Sequence, residues 1–230
     1  MTAAESPRPL SRDALPIAEA ETKAAFLLRL RSGGIRDLAL LRALEIVPRE
    51  IFVPQQFADF AGRDLALPLP CGQTMTAPSL LARMIAALDL SPRHRVLEIG
   101  TGSGYATAVL SHIVREVVSF ERFHTLAEAA RMRLAALARD NILAFWGDGL
   151  AVPVDIGSFD RIIVHAASRD IPAGLLERLA DDGLLLFARE IADEGQSLWR
   201  IARGRESSRL EEDYGPCHFQ PLLPGVARFL

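Results

Sequence analysis

Apolar residues recur along this chain with two different periods, and the period changes mark its elements. Ala24, Leu27 and Leu28 fall at helical spacing, Arg31 continues the series, and Gly33 with Gly34 stops it, which predicts a helix over 19–31. A second helix is expected from Asp37, a natural N-cap, to Val47, where Pro48 ends it. Leu80, Leu81, Met84, Ile85 and Leu88 make an apolar stripe for a helix over 79–88. From residue 94 short apolar runs alternate with helical stretches. Strands are expected at 95–99, 116–120, 142–146, 160–165 and 184–188, with helices at 105–113, 125–138 and 172–180. Strands separated by such helices mean right-handed βαβ units and a mostly parallel, doubly wound sheet, an α/β fold. Two further strands, at 198–202 and 218–222, are close enough to form an antiparallel edge.

Two segments lack a period. Residues 1–18 carry Pro7, Pro9 and Pro16 among small and charged residues and read as a loose N-terminal arm. Residues 52–78 are broken by Pro54, Pro68, Pro70, Gly72 and Pro78; an irregular stretch of that length in a compact domain is usually functional. The remaining 19–230 are read as one domain: helices and this loop over 19–90, a ligand-binding core over 91–195, and terminal strands over 196–230.

Composition narrows the function. Of 230 residues 50% are hydrophobic, enough to exclude disorder as the main state, and no apolar run approaches the roughly 20 residues that span a bilayer. No secretory signal opens the chain. The net charge of −3 gives no electrostatic footprint for nucleic acid. Cys71 and Cys217 are isolated, and His94, His112, His124, His165 and His218 have no metal-ligand spacing. The expectation is a cytoplasmic monomer without a metal, a membrane or nucleic acid as partner.

The chemistry concentrates where the first core strand ends. Val96-Leu97-Glu98-Ile99 runs into Gly100-Thr101-Gly102-Ser103-Gly104 and then a helix from Tyr105, and Glu98 and Gly100 to Gly104 are expected to bind a ligand. Alternate glycines let the chain turn sharply and let a ligand approach the backbone at the carboxyl end of the strand. The dinucleotide fingerprint needs Gly or Ala where Tyr105 stands, and no Lys-Ser or Lys-Thr completes a phosphate loop. The turn suits a ligand without phosphates, held by an amino-acid end and a ribose: S-adenosylmethionine. Glu121, 21 residues after Gly100 and followed by Arg122, ends the second strand, where a carboxylate can accept from a ribose diol. Asp148, followed by Gly149, ends the third, where an acid can accept from the adenine amine.

In these residues the chain resembles the protein-L-isoaspartate O-methyltransferases. The resemblance runs over about 26–224. It rests on Gly34-Ile35, Val47-Pro48-Arg49-Glu50, Phe52-Val53-Pro54, the loop Gly72-Gln73-Thr74-Met75-Thr76-Ala77-Pro78, the glycine turn, Gly147-Asp148-Gly149, Phe159-Asp160 with Ile162-Ile163-Val164, and Phe219-Gln220-Pro221-Leu222. It implies a Rossmann-like methyltransferase fold and transfer of a methyl group from S-adenosylmethionine to the free carboxylate of L-isoaspartyl residues in damaged proteins or peptides. The ester then closes to a succinimide. The resemblance places Thr76 at the active-site hydroxyl, with Gln73, Thr74 and Met75 beside the cofactor. From local chemistry alone Thr76 also reads as a cap for the helix that follows. The family usually has serine at position 76, tyrosine at 62, proline at 66 and glycine at 70, where this chain has Thr76, Gly62, Ala66 and Pro70. These departures surround the acceptor rather than the donor. Two other readings therefore stand beside repair: a carboxyl methyltransferase for a dedicated peptide aspartate, and a cofactor-binding homologue without turnover.

Overall fold

The computed structural model describes residues 17–192, 195–204 and 208–227. The expected N-terminal arm falls almost wholly outside them, and its last two residues already belong to the first helix. That helix, α1 (Ile17–Ser32), is followed by α2 (Leu38–Ile46). Asp37 caps α2 as its residue type predicts, accepting from the amides of Ala39 and Leu40 at 2.8 and 3.2 Å.

The proline-broken stretch is not formless. A 3₁₀ turn at Arg49–Phe52 leads into it, and it contains further 3₁₀ turns at Gln55–Phe60 and Pro70–Gly72 and a two-strand ribbon in which β1 (Leu67–Pro68) pairs antiparallel with β2 (Thr74–Met75). Arg49 explains its order. The buried guanidinium donates to the carbonyls of Ala61, Arg63 and Leu65, replacing the backbone ladder that the prolines deny.

Helix α3 (Pro78–Ala86) leads into the core, which alternates β3 (Arg95–Ile99), α4 (Tyr105–Ser111), β4 (Glu116–Glu121), α5 (His124–Ala135), β5 (Ile142–Trp146) and β6 (Phe159–Ser168). A four-residue α6 (Ala173–Leu176) precedes β7 (Leu179–Ile191), β8 (Gly195–Arg203) and β9 (Arg209–Cys217). The sheet order is β5-β4-β3-β6-β7-β8-β9, parallel through β7 and antiparallel at β8 and β9. After β3, β4 and β5 build to one side, the chain crosses to lay β6 on the other side of β3. That reversal opens a crevice at the carboxyl ends of β3, β4 and β6.

Two expectations are corrected. Residues 172–180 form only the single turn α6, because Leu179 already pairs with Phe159 in the sheet; the pairing then jumps to Leu184 opposite Arg161, so 180–183 bulge out. Residues 218–222 are not a strand of the edge. The last strand is the polar β9, whose outward face needs no apolar pattern. The 218–222 segment instead lies over the end of β6: the Ala167 amide donates to the Gln220 carbonyl and the Leu222 amide to the Ala167 carbonyl, at 2.8 and 2.6 Å.

The core lies on both faces of the sheet, as successive side chains point to opposite sides. Val96, Val117, Ile163 and Leu186 pack towards α2, α3 and α4. Leu97, Val118, Ile162, Leu185 and Phe187 pack on the other face against Val152, Phe159, Leu175 and Leu179. Strand 95–99, buried on both faces, reads as a continuous apolar run and is recognised to the residue; 142–146 is recognised as well by its apolar run, although it is the sheet's edge strand and Leu143, Phe145 and Trp146 are exposed.

Candidate active site

The glycine turn owes its shape to backbone conformations that side chains disfavour. Gly100 has φ +93°, and a Cβ there would lie 3.3 Å from the Cβ of His165 on β6. Both constraints exclude larger residues. Gly149 is excluded by space alone: its Cβ would sit 2.5 Å from Cγ2 of Ile99. The turn after β5 is thereby pressed against the end of β3, and Asp148 is brought to the crevice.

Two hollows adjoin along the strand ends. Thr74, Met75 and Thr76 face Gly100–Ser103 and His165 across the first. Gln73, Glu121, Arg122, Asp148, Gly149 and Leu222 line the second. Gly100 belongs to both, so they are the two ends of one crevice. Twelve of the fourteen residues singled out from the sequence line it. Gly104 and Glu98 do not.

Gly104 serves the turn by preceding α4 with φ +90°. Glu98 is corrected from a ligand-binding acid to a buried anchor. It is fully buried, accepts from the hydroxyls of Thr107 and Ser119, and pairs with Nε2 of His165 at 3.2 Å. A carboxylate on the central strand, enclosed by β4, α4 and β6, has no path to the crevice. Ser119 also shares a hydrogen bond with the Thr101 hydroxyl, 2.6 Å away, so Glu98 holds the glycine turn from beneath.

Glu121 stands where a ribose-binding acid is expected. Oε2 accepts from the Gly102 amide at 2.8 Å and Oε1 from the Phe123 amide at 2.9 Å. Each oxygen keeps a further lone pair for a diol. Burial raises the Glu121 pKa above the ordinary 4.5, against the lowering effect of the amides of Phe123, Gly102 and Arg122. A carboxyl with a raised folded pKa contributes stability that is fully present below its unfolded pKa and is lost as pH rises through the folded value. Stability relative to Glu121→Gln is therefore expected to fall as pH climbs from about 4.5. Paired urea titrations across that range measure it; a difference that does not change with pH contradicts this account of Glu121.

Asp148 accepts from the Leu150 amide at 2.8 Å and, through its other oxygen, from the Gly225 amide at 2.7 Å. Arg122 donates through Nε to the Gly225 carbonyl at 3.1 Å. The C-terminal segment is thus clasped over one end of the crevice by two residues of the site, a closure no local pattern announces.

Thr76 does not cap α3. The cap position is Ala77, which makes no side-chain bond, and the Ser79 amide donates to Asp64 at 2.9 Å. With that task taken by an acid fifteen residues upstream, the Thr76 side chain lines the crevice. Cys71, held at φ 61°, makes the turn that delivers Gln73, whose Nε2 donates to the Cys71 carbonyl at 3.0 Å.

The sequence reading missed His165 and Tyr105. His165 carried a signal, a polar residue ending the run Ile162-Ile163-Val164. Tyr105 carried none, since the first residue of a buried helix is ordinarily packing. Among the described residues no cluster of three metal-ligating side chains occurs, and no helix is long and apolar enough to cross a membrane.

A family model described as protein-L-isoaspartate(D-aspartate) O-methyltransferase matches residues 21–227. The chain belongs to this family. A protein-L-isoaspartate O-methyltransferase of Rhodopseudomonas palustris strain BisB18 is 50% identical over 209 residues, 90% of this chain and 96% of that one. One from Azorhizobium caulinodans is 44% identical over 214 residues, 93% and 98% of the two chains. The fold is also shared with a Plasmodium falciparum structure described as a protein-L-isoaspartate O-methyltransferase and solved with S-adenosyl-L-homocysteine. Its TM-score is 0.73 at 23% identity, covering 86% of this chain and 97% of that one. The family acts on isoaspartyl-containing proteins, and this chain is a methyltransferase with the family's Rossmann-like core.

Proposed function

We propose that this protein methylates the free carboxylate of L-isoaspartyl residues, with S-adenosylmethionine as donor and Thr76 as the catalytic hydroxyl. The observation that carries the reading is one crevice bounded by the glycine turn, by Glu121 and Asp148 at one end, and by Thr76 at the other. Its residues suit the donor. Gly100 brings backbone close without a side chain, Glu121 has acceptor capacity for a ribose, and Asp148 has it for an adenine amine. Gln73, Thr74, Met75, Thr101, Gly102, Ser103, Arg122 and Gly149 complete the wall. When bound, the donor supplies a methyl group on a sulfonium, already a good leaving group.

The protein's task is then placement. An acceptor carboxylate is ionised near pH 7, so no base has to remove a proton from it. The Thr76 hydroxyl donates to one carboxylate oxygen and leaves the other to attack. Met75, Leu69 and Leu81, all buried, keep water from that end and strip the nucleophile of hydration. The methyl ester is subsequently attacked by the next backbone nitrogen, methanol leaves, and the succinimide opens by hydrolysis partly to ordinary aspartate. The reading places the enzyme in the cytoplasm as a monomer, without nucleic acid or membrane as partner; the two free cysteines and the net charge of −3 support it.

The test uses paired peptides of identical sequence, one with isoaspartate and one with aspartate. Methyl ester and S-adenosylhomocysteine are expected only with the first, across unrelated flanking sequences. Turnover of the aspartate twin, or no turnover of either, overturns the assignment.

A further inference from the structure

A second cavity, of about 390 Å³, lies behind the crevice between α1, α2 and the 49–64 turns. Its walls are mixed: Phe26, Leu44, Val47, Pro78 and Tyr105 give it apolar faces, and Lys23, Arg49, Glu50, Arg63 and Asp64 bring charge to the same space. Tyr105 lines this cavity and the Thr76 crevice alike, and Pro78 is two residues from Thr76. The two spaces therefore meet at one aromatic wall.

Gly62 is part of the lining. Its backbone is not in the left-handed region, so nothing in the chain geometry requires glycine there. A Cβ would meet only Cγ2 of Thr22, at 3.9 Å. The missing side chain is space left open rather than a turn made possible. The wall carrying Gly62 is also rigid. The Arg49 guanidinium grips the carbonyls of Ala61, Arg63 and Leu65, and is 6% exposed with its Nε buried and unpartnered among the described residues. Lys23 and Arg63 in the lining are balanced by Glu50 and Asp64, so the cavity favours no single charge. Arg63 already lies over the Phe60 ring at 5.2 Å, which shows the guanidinium presented to an aromatic face.

We propose that this cavity is a subsite for an aromatic side chain of the acceptor polypeptide, flanking the isoaspartyl residue held at Thr76. It rests on the assignment of the crevice given above and names a preference within it. A preformed pocket with the rings of Phe26 and Tyr105 in its walls, and with its charges balanced, binds a flat, neutral ring better than a short aliphatic or charged side chain.

The experiment compares isoaspartyl peptides carrying Phe, Tyr or Trp at one flanking position with their Ala twins, in wild type, Gly62→Ala and Gly62→Phe. In wild type KM is expected to be about tenfold lower for the aromatic peptides, roughly the scale of one well-buried ring. Gly62→Ala is expected to retain the ratio, and Gly62→Phe, which fills the cavity, to bring it close to one. Affinity for S-adenosylhomocysteine checks that each variant is folded. Equal KM values in wild type, or a ratio that survives Gly62→Phe, overturns the subsite alone. Calorimetric binding of the same peptides gives a readout without turnover. Tighter binding of the aromatic peptide, lost in Gly62→Phe, sustains the subsite even where no ester forms, and indifferent binding overturns it.

Discussion

Replacing Glu121 by alanine is expected to lower cofactor affinity about 100-fold. The figure follows from the chemistry of the position. Hydrogen bonds to a charged acceptor contribute about 1.5–3 kcal/mol each, and a ribose diol makes two, partly replaced by water in the variant; a net loss near 3 kcal/mol is roughly two powers of ten. The substitution also strips the Gly102 and Phe123 amides of their acceptor, so the glycine turn loosens with the ligand contact. Glu121→Gln separates the two contributions, because one amide oxygen still accepts while the other atom becomes a donor facing an N–H. It is expected to fall between wild type and Glu121→Ala. Titration calorimetry with S-adenosylhomocysteine measures both; an alanine variant within threefold of wild type removes Glu121 from the cofactor site.

Thr76→Val is expected to lower kcat for an isoaspartyl peptide by about 10–100-fold, the equivalent of one hydrogen bond to a charged oxygen, while cofactor affinity stays within twofold. Valine keeps the β-branch and nearly the volume, so the loop keeps its shape and only the donor is lost. The structure sharpens this expectation, because Asp64 accepts from Ser79 and no stability of α3 is tied to the threonine hydroxyl. Thr76→Ser should restore activity. Single-turnover measurements with saturating cofactor separate the chemical step from binding; full activity in the valine variant excludes the hydroxyl from catalysis.

The two substitutions probe opposite ends of the crevice, and their contrast is informative. One acts on donor affinity through a buried carboxylate fixed by backbone amides. The other acts on the orientation of an acceptor that needs no deprotonation. Equal effects of both on both parameters would mean that the glycine turn and the Thr76 loop move as one unit, so that either change disorders the whole crevice.

Much of this architecture was legible in the amino-acid order. Periods of two and 3.6 are local, and an unbroken apolar run has no polar alternation to blur it, so the buried strand 95–99 and the half-exposed edge strand 142–146 were both read to the residue. The glycine turn, Glu121 and Asp148 were also legible, because a strand end followed by glycine or acid is a local pattern that the parallel sheet repeats. Tertiary structure decided everything that depends on which chain segments meet. It turned Glu98 from a ligand into a buried anchor, because Thr107, Ser119 and His165 converge on it from three elements. It gave the cap of α3 to Asp64 and freed Thr76. It folded 218–227 across the crevice, where the amide of Gly225 reaches Asp148. Such pairings join residues 9 to 77 positions apart, and no local period can encode them. They are selected only when burial brings unsatisfied donors and acceptors together and the cost of leaving them unpaired rises.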